Sequence, residues 1–151
     1  MSQSLAKLYT HIVFSTKDRF PFLCNRELQQ ELNAYIGGII RTLNSQPVVV
    51  NGVKDHLHIF CTVSKNSAVS KLVGEIKRVS SIWIKTKDKN LSKFHWQDGY
   101  CALSIGRSEI NNVCAYIENQ EEHHSITTFQ DEYRKFLTEY EIEYDEQYVW
   151  D

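Results

Sequence analysis

Hydrophobic positions along the chain change period several times, and each change marks an element. Residues 9–15 alternate Tyr9, His11 and Val13 against Thr10, Ile12 and Phe14, the period of two that predicts a strand. The following TKDRFPF segment is read as a turn, since Pro21 cannot sit in a central strand. Beyond it Leu28, Leu32, Tyr35, Ile36, Ile39 and Leu43 recur at spacings of three and four, which predicts an amphipathic helix capped by Asn25. Gly37-Gly38 weakens that helix, so a loose turn or a closely packed backbone is expected there. The β-branched run 47–53 predicts a second strand, and Asn51-Gly52 a tight turn into a third over 55–63. Residues 68–86 carry the clearest helical stripe, formed by Val69, Leu72, Val73, Ile76, Val79 and Trp83. After the charged loop KDKNLSK come a short strand over 100–105 and a helix from a Ser108 cap to about residue 122. Its core face is Ile110, Val113, Cys114 and Ile117. Thr128 with Asp131 three residues on resembles a capping box for a last helix ending near Glu139.

Strand, helix, strand, strand, helix, strand, helix is the order of a split β-α-β fold. The expected class is therefore an α+β two-layer sandwich of ferredoxin-like type: a four-stranded antiparallel sheet, with room for a further edge strand, and helices on one face. The whole of 1–151 is read as a single domain. Its acidic C-terminal segment, 125–151, is expected to pack on that domain or on a partner subunit.

Charge alters the picture more than composition does. The net charge of -2 hides 15 basic and 7 acidic side chains in residues 1–107, against 2 basic and 12 acidic in 108–151. A basic body with an acidic end keeps nucleic acid among the partner classes. No apolar run is long enough to span a membrane and the start does not read as a signal peptide, so a cytoplasmic protein without a membrane partner is expected. Cys24, Cys61, Cys101 and Cys114 have no close pairing and read as free thiols rather than a zinc site.

The sharpest chemistry lies in VKDHLHIF. Residues two apart on a strand point the same way, so His56 and His58 stand side by side while Leu57, Ile59, Cys61 and Val63 face the helices. Imidazoles on the other face suit a metal or a phosphate, although two solvated histidines would read the same way. On the helix after Ser108, Tyr116 and Gln120 stack one turn apart on a flank of the core face. If that helix crosses the histidine face, two imidazoles and an amide oxygen could hold a cation with positions open to phosphate oxygens. A phenol one turn away could then attack phosphorus. Nitrogen and oxygen donors permit Mg2+ or Mn2+ and give no reason for zinc. Asp55 is read as a turn residue, and His11 and His95 as structural or solvated.

The segments THIVFSTKDR, NGVKDHLHIF, GEIKRVSS, FHWQDGY and YIENQEEHH occur in an order and spacing that resembles the single-tyrosine transposases of small bacterial insertion sequences. These IS200-like enzymes belong to the HUH class of single-strand nucleases. The resemblance covers nearly the whole chain. It implies that His56, His58 and Gln120 are metal ligands and Tyr116 the nucleophile. It further implies a 5′-phosphotyrosine intermediate, a substrate of single-stranded DNA with imperfect hairpins at element ends, and a homodimer using no nucleotide cofactor. The nucleoid is where such a protein would act. Under that reading Lys17, Arg19, Lys54, Lys71, Lys77, Arg78 and Lys85 become backbone contacts. Phe94, Trp96 and Tyr100 become either base-stacking groups or a core plug, and His124 an accessory near the metal. The alternatives are a domesticated nuclease processing repeated hairpins, a phosphodiesterase using water, a structural or interaction protein, and a non-catalytic nucleic-acid-binding module of the same fold.

Overall fold

The computed structural model describes residues 2–151. Strands β1 (Tyr9–Ser15), β2 (Gln46–Gly52), β3 (His56–Thr62) and β4 (Cys101–Ser104) form one antiparallel sheet in the order β2-β3-β1-β4. With helices α1 (Arg26–Thr42) and α2 (Val69–Lys85) between them, this is the expected ferredoxin-like arrangement. No further edge strand joins the sheet among the described residues; Thr16 and Trp96 make a single isolated bridge beyond β1.

Side-chain alternation assigns each face. Ile12 and Phe14 of β1 and Leu57, Ile59 and Cys61 of β3 meet Leu32, Ile36 and Ile40 of α1 and Leu72, Val73 and Ile76 of α2 in the main core. Asn25 caps α1 as its sequence position suggests, accepting from the Leu28 amide at 3.1 Å. Gly37-Gly38 neither loosens that helix nor admits another backbone; a methyl group at Gly37 would meet only side-chain atoms at ordinary distance.

Two local expectations are corrected. Asn51-Gly52 does not form the β2–β3 turn, because both residues belong to β2 and pair with His58 and Leu57. The chain turns instead through Val53–Asp55, closed by the Val53 amide donating to the His56 carbonyl at 3.1 Å. Gly52 is needed for close approach: a Cβ there would lie 2.5 Å from the His56 carbonyl oxygen. The second correction concerns the helix after Ser108. Residues Arg107–Glu109 form a 3-10 turn in which Ser108 is not the cap, and the helix is broken at Asn119 into α3 (Ile110–Glu118) and α4 (Gln120–His123).

The face opposite α1 and α2 is not open. Helix α5 (Phe129–Glu139) lies across it, with Phe129, Tyr133 and Leu137 packed on Val13, Cys101 and Leu103. Thr128 caps α5 by accepting from the Asp131 amide at 3.2 Å. The C-terminal residues then strap α5 down. Trp150 packs against Phe129 and Tyr133, with the Arg19 and Arg134 guanidinium groups over its indole at 5.8 and 4.9 Å. The Asp151 carbonyl accepts from the Gly99 amide at 2.9 Å. Among the described residues, no helix is long and apolar enough to cross a membrane.

Candidate active site

β3 supplies the two histidines, and its register fixes where they stand. His56 and His58 lie opposite Ser15 and Val13 of β1, on the face covered by α5. Both are fully buried. Each is held by a hydrogen bond on Nδ1, which orients the ring and turns Nε2 inward. For His56 the partner is Asp55 Oδ1 at 2.7 Å, so Asp55 is an orienting carboxylate as well as a turn residue. For His58 it is Nε2 of His11 at 2.8 Å, reached diagonally across the β1–β3 ladder. His11 is thus a buried support for His58. Burial holds both rings neutral, with His11 pushed down to about 3 and His58 to about 4; for His58 the Glu132 carboxylate partly opposes the shift.

α3 and α4 bring the next two residues. α3 packs along β2 and β3. Its C-terminal carbonyls, those of Ile117 and Glu118, accept from Asn51 Nδ2 at 2.9 and 3.4 Å. Asn51 therefore anchors the tyrosine helix to the strand beside His58. From that helix the Tyr116 ring reaches an edge contact with His58, 5.9 Å between centroids. Gln120 is fully buried, with Oε1 3.4 Å from His56 Nε2 and Nε2 donating to the Tyr116 carbonyl at 3.1 Å. The helix break at Asn119 leaves Tyr116 and Gln120 on the same side, and the four residues converge within one chain.

Glu132, not among the sequence candidates, occupies the centre of the cluster. Its carboxylate is 1% exposed. Oε1 lies 3.0 Å from His58 Nε2 and 3.5 Å from His56 Nε2; Oε2 lies 3.0 Å from His124 Nε2 and 3.3 Å from His123 Nε2. The Tyr116 hydroxyl donates to the same carboxylate and lies 3.1 Å from His123 Nε2. Burial would raise the carboxyl's proton affinity, but His124 and His58 more than offset it and keep Glu132 ionised. The Tyr116 phenol is pushed up from its ordinary range, first by burial and then by the Glu132 charge, so it is protonated at rest. A signal existed in the sequence: Glu132 interrupts the apolar stripe Phe129, Tyr133, Phe136 and Leu137 of an amphipathic helix.

A cation fits this donor set. His124 Nδ1 is bonded to the Thr127 carbonyl at 2.7 Å, while its buried Nε2 has no hydrogen-bond partner even though the carboxylate is near. Nitrogen or oxygen atoms of His56, His58, His124 and Glu132 all lie within 4.8 Å of one another.

The other sequence candidates disperse. Arg19 and Lys54 border a cleft of about 620 Å³ beside the cluster, together with Arg26, Asp55 and His124. Lys17 sits in the neighbouring 3-10 turn. Lys71, Arg78 and Lys85 are exposed on α2, on the far side of the sheet, where Arg78 is paired with Glu75. Lys77 is spent on three carbonyls, those of Gln97, Asp98 and Gly99, at 2.8, 3.1 and 2.6 Å. Trp96 is 3% exposed, donates to Ser80 at 3.0 Å and packs edge-on against Phe14 and Phe94, so it offers no face to a base. Phe94 is buried with it, which makes that aromatic segment a core plug. His95 is exposed near Asp98.

The sequence profile of the family described as IS200-like transposases matches residues 4–120. No curated protein sequence matches the chain. Among solved structures, a protein of Deinococcus radiodurans R1 assigned as a transposase is 21% identical with a TM-score of 0.61, covering 80% of this chain and 98% of its own. A REP-associated tyrosine transposase bound to a REP hairpin is 16% identical with a TM-score of 0.57, covering 82% of this chain and 74% of its own. At these identities the two structures speak for the fold.

Proposed function

Since the chain belongs to the IS200-like transposase family, we propose that it is a metal-dependent transposase of single-stranded DNA in which Tyr116 is the nucleophile and His56, His58 and Gln120 are metal ligands. The observation that carries this reading is the convergence of those four residues, from β3, α3 and α4, on one spot where His56, His58 and Gln120 are fully buried and Tyr116 half-buried. Mg2+ or Mn2+ bound there supplies charge neutralisation and polarisation of a phosphate. Tyr116 Oη attacks the scissile phosphorus, the bond from phosphorus to the 3′ oxygen breaks, and the phenolic proton is given up. The 3′ oxygen leaves as a hydroxyl, and the 5′ end stays on the tyrosine as a phosphodiester. Attack on that link by a 3′-hydroxyl restores the strand and returns the proton to Tyr116, with no nucleotide cofactor consumed.

The proposed partner is DNA with imperfect hairpins; a hairpin in complex with a relative of the same fold supports that choice. Arg19 and Lys54 at the cleft mouth are the proposed phosphate contacts. A homodimer is the proposed working form, acting in the cytoplasm on element ends or on repeated hairpins of a host genome. Incubation with labelled single-stranded hairpin DNA and Mg2+ or Mn2+, followed by a denaturing gel, tests the chemistry. A metal-dependent covalent adduct is expected, reduced by at least about a thousandfold in Tyr116→Phe. Hydrolysis that persists without adduct in that variant would sink the tyrosine mechanism.

A further inference from the structure

Four imidazoles bring Nε2 to one carboxylate, and the three of them that are least exposed are those of His56, His58 and His124. Asp55 Oδ1 and the Thr127 carbonyl can only accept hydrogen bonds, so His56 and His124, when neutral, carry their proton on Nδ1. His58 is turned the same way, its Nδ1 bonded to His11. What remains inward is Nε2, which in the neutral form of His56 and His124 is a lone pair. Those nitrogens stand 3.5 and 3.0 Å from the Glu132 oxygens, and the His58 nitrogen 3.0 Å. Where those two rings are neutral, their lone pairs repel the carboxylate, and a shared cation turns that repulsion into attraction. The separations also suit it, because neighbouring donors about 2.0–2.2 Å from one ion stand roughly 2.8–3.1 Å apart in an octahedron and roughly 3.3–3.6 Å apart in a tetrahedron. The unpartnered Nε2 of His124 is then a ligand atom rather than a defect.

We propose that His124 and Glu132 are metal ligands alongside His56 and His58, so that metal binding fastens α5 across the histidine face. The inference rests on the reading that His56 and His58 hold a metal, and it enlarges that centre by two residues from outside the HxH strand. His124 comes from the end of α4 and Glu132 from the first turn of α5. Glu132 would join the ion and also holds the Tyr116 hydroxyl, so one carboxylate links α5, the ion and the nucleophile. This arrangement is a closed resting centre. DNA entry then requires the carboxylate on α5 to yield its place to the scissile phosphate, releasing Tyr116 in the same movement.

The test uses the full-length protein stripped of metal and titrated with Mn2+ or Co2+ alone, without DNA. Affinity is read by titration, coordination by the visible spectrum of Co2+, and the state of α5 by amide exchange over 129–139. The wild type is expected to bind, with Co2+ visible bands displaced from those of the aquo ion by imidazole ligation and slower exchange in α5. Glu132→Gln and His124→Ala are each expected to lose at least about 100-fold in affinity and the metal-dependent protection of α5. Gln120→Ala, which removes a proposed ligand but not the link through α5, is expected to weaken binding while keeping the protection of α5 at saturating metal. Metal-free exchange over β1 and β3 reports whether each variant is folded, and Glu132→Asp provides a second, milder change with the same expected direction. If Glu132→Gln binds as tightly as the wild type while His56→Ala does not bind, this inference is overturned and the histidine-pair reading stands. If the wild type binds neither ion, both are overturned.

Discussion

The two faces of the sheet are both covered by helices and bury opposite kinds of side chain. Under α1 and α2 the sheet contributes Ile12, Phe14, Leu57, Ile59 and Cys61, hydrocarbon and thiol, with no ionisable partner required. Under α5 it contributes His11, His56 and His58, which meet Glu132 and Tyr116 in a bonded polar network. The first face gains from burial in proportion to apolar area. The second gains little net from burying charge and imidazole, and depends on every group finding a partner. A face of that kind can be uncovered at modest cost, and a DNA phosphate would have to enter there.

The largest effect should come from damaging the apolar face. Ile59 is fully buried in the main core, and Ile59→Ala is expected to cost about 3 kcal/mol of global stability, seen as a lower denaturant midpoint at unchanged slope. A cost below about 1 kcal/mol would show that the core is looser than its packing indicates.

The polar face should respond locally instead. Trp150 holds α5 through Phe129, Tyr133 and the two guanidinium groups, and the chain end is tied to Gly99. Trp150→Ala is expected to remove about 1–2 kcal/mol, a fraction of the buried-aromatic value because the indole is partly exposed. That loss should appear as faster amide exchange in α5, with β1, β3 and α1 unchanged. Uniform acceleration across the sheet would mean that both faces open as one unit.

The helix caps give a matched and smaller version of the same contrast. Asn25 caps α1 and Thr128 caps α5, each through a side-chain oxygen bonded to the third residue on. Replacing either by Ala is expected to cost about 1 kcal/mol. For Asn25→Ala the loss should register in global unfolding. For Thr128→Ala it should register chiefly in the exchange of α5. Equal global losses from the two would erase the proposed difference between the faces.

The same asymmetry explains what the sequence could and could not disclose. Periodicity found the strands, α1 and α2, because an apolar face is written as a repeat, and the period of two in β3 correctly sent His56 and His58 away from the main core. It misplaced the β2–β3 turn because Asn-Gly is a turn pair by local preference, whereas Gly52 is there to let the His56 carbonyl approach. Glu132 stayed hidden for a different reason. As one of 12 acidic residues in the end segment its carboxylate reads as solvent-facing, and only its place among Phe129, Tyr133 and Leu137 marks it as buried. Exposure is a tertiary property, so pattern left Trp96 open to two readings and took Lys77 for a phosphate contact: one is inserted against Phe94 and the other is bonded to three carbonyls.

Basic residues complete the comparison, with the smallest expected effect. Lys54 is exposed at the cleft that adjoins the histidine cluster, whereas Lys71 is exposed on α2 behind the apolar face. If DNA lies along the polar face, Lys54→Ala should weaken binding of hairpin DNA a few-fold. It should also reduce the slope of log affinity against log salt by about 0.7–0.9, the share of one phosphate contact. Lys71→Ala should leave both unchanged, although it removes the same formal charge from a chain of net charge -2. Total charge therefore predicts identical variants and the position of the charge predicts different ones, so a salt titration of the two, fluorescence anisotropy being sufficient, decides between them. Equal losses would place DNA on both sides of the sheet and remove the reason for assigning the polar face alone to the substrate.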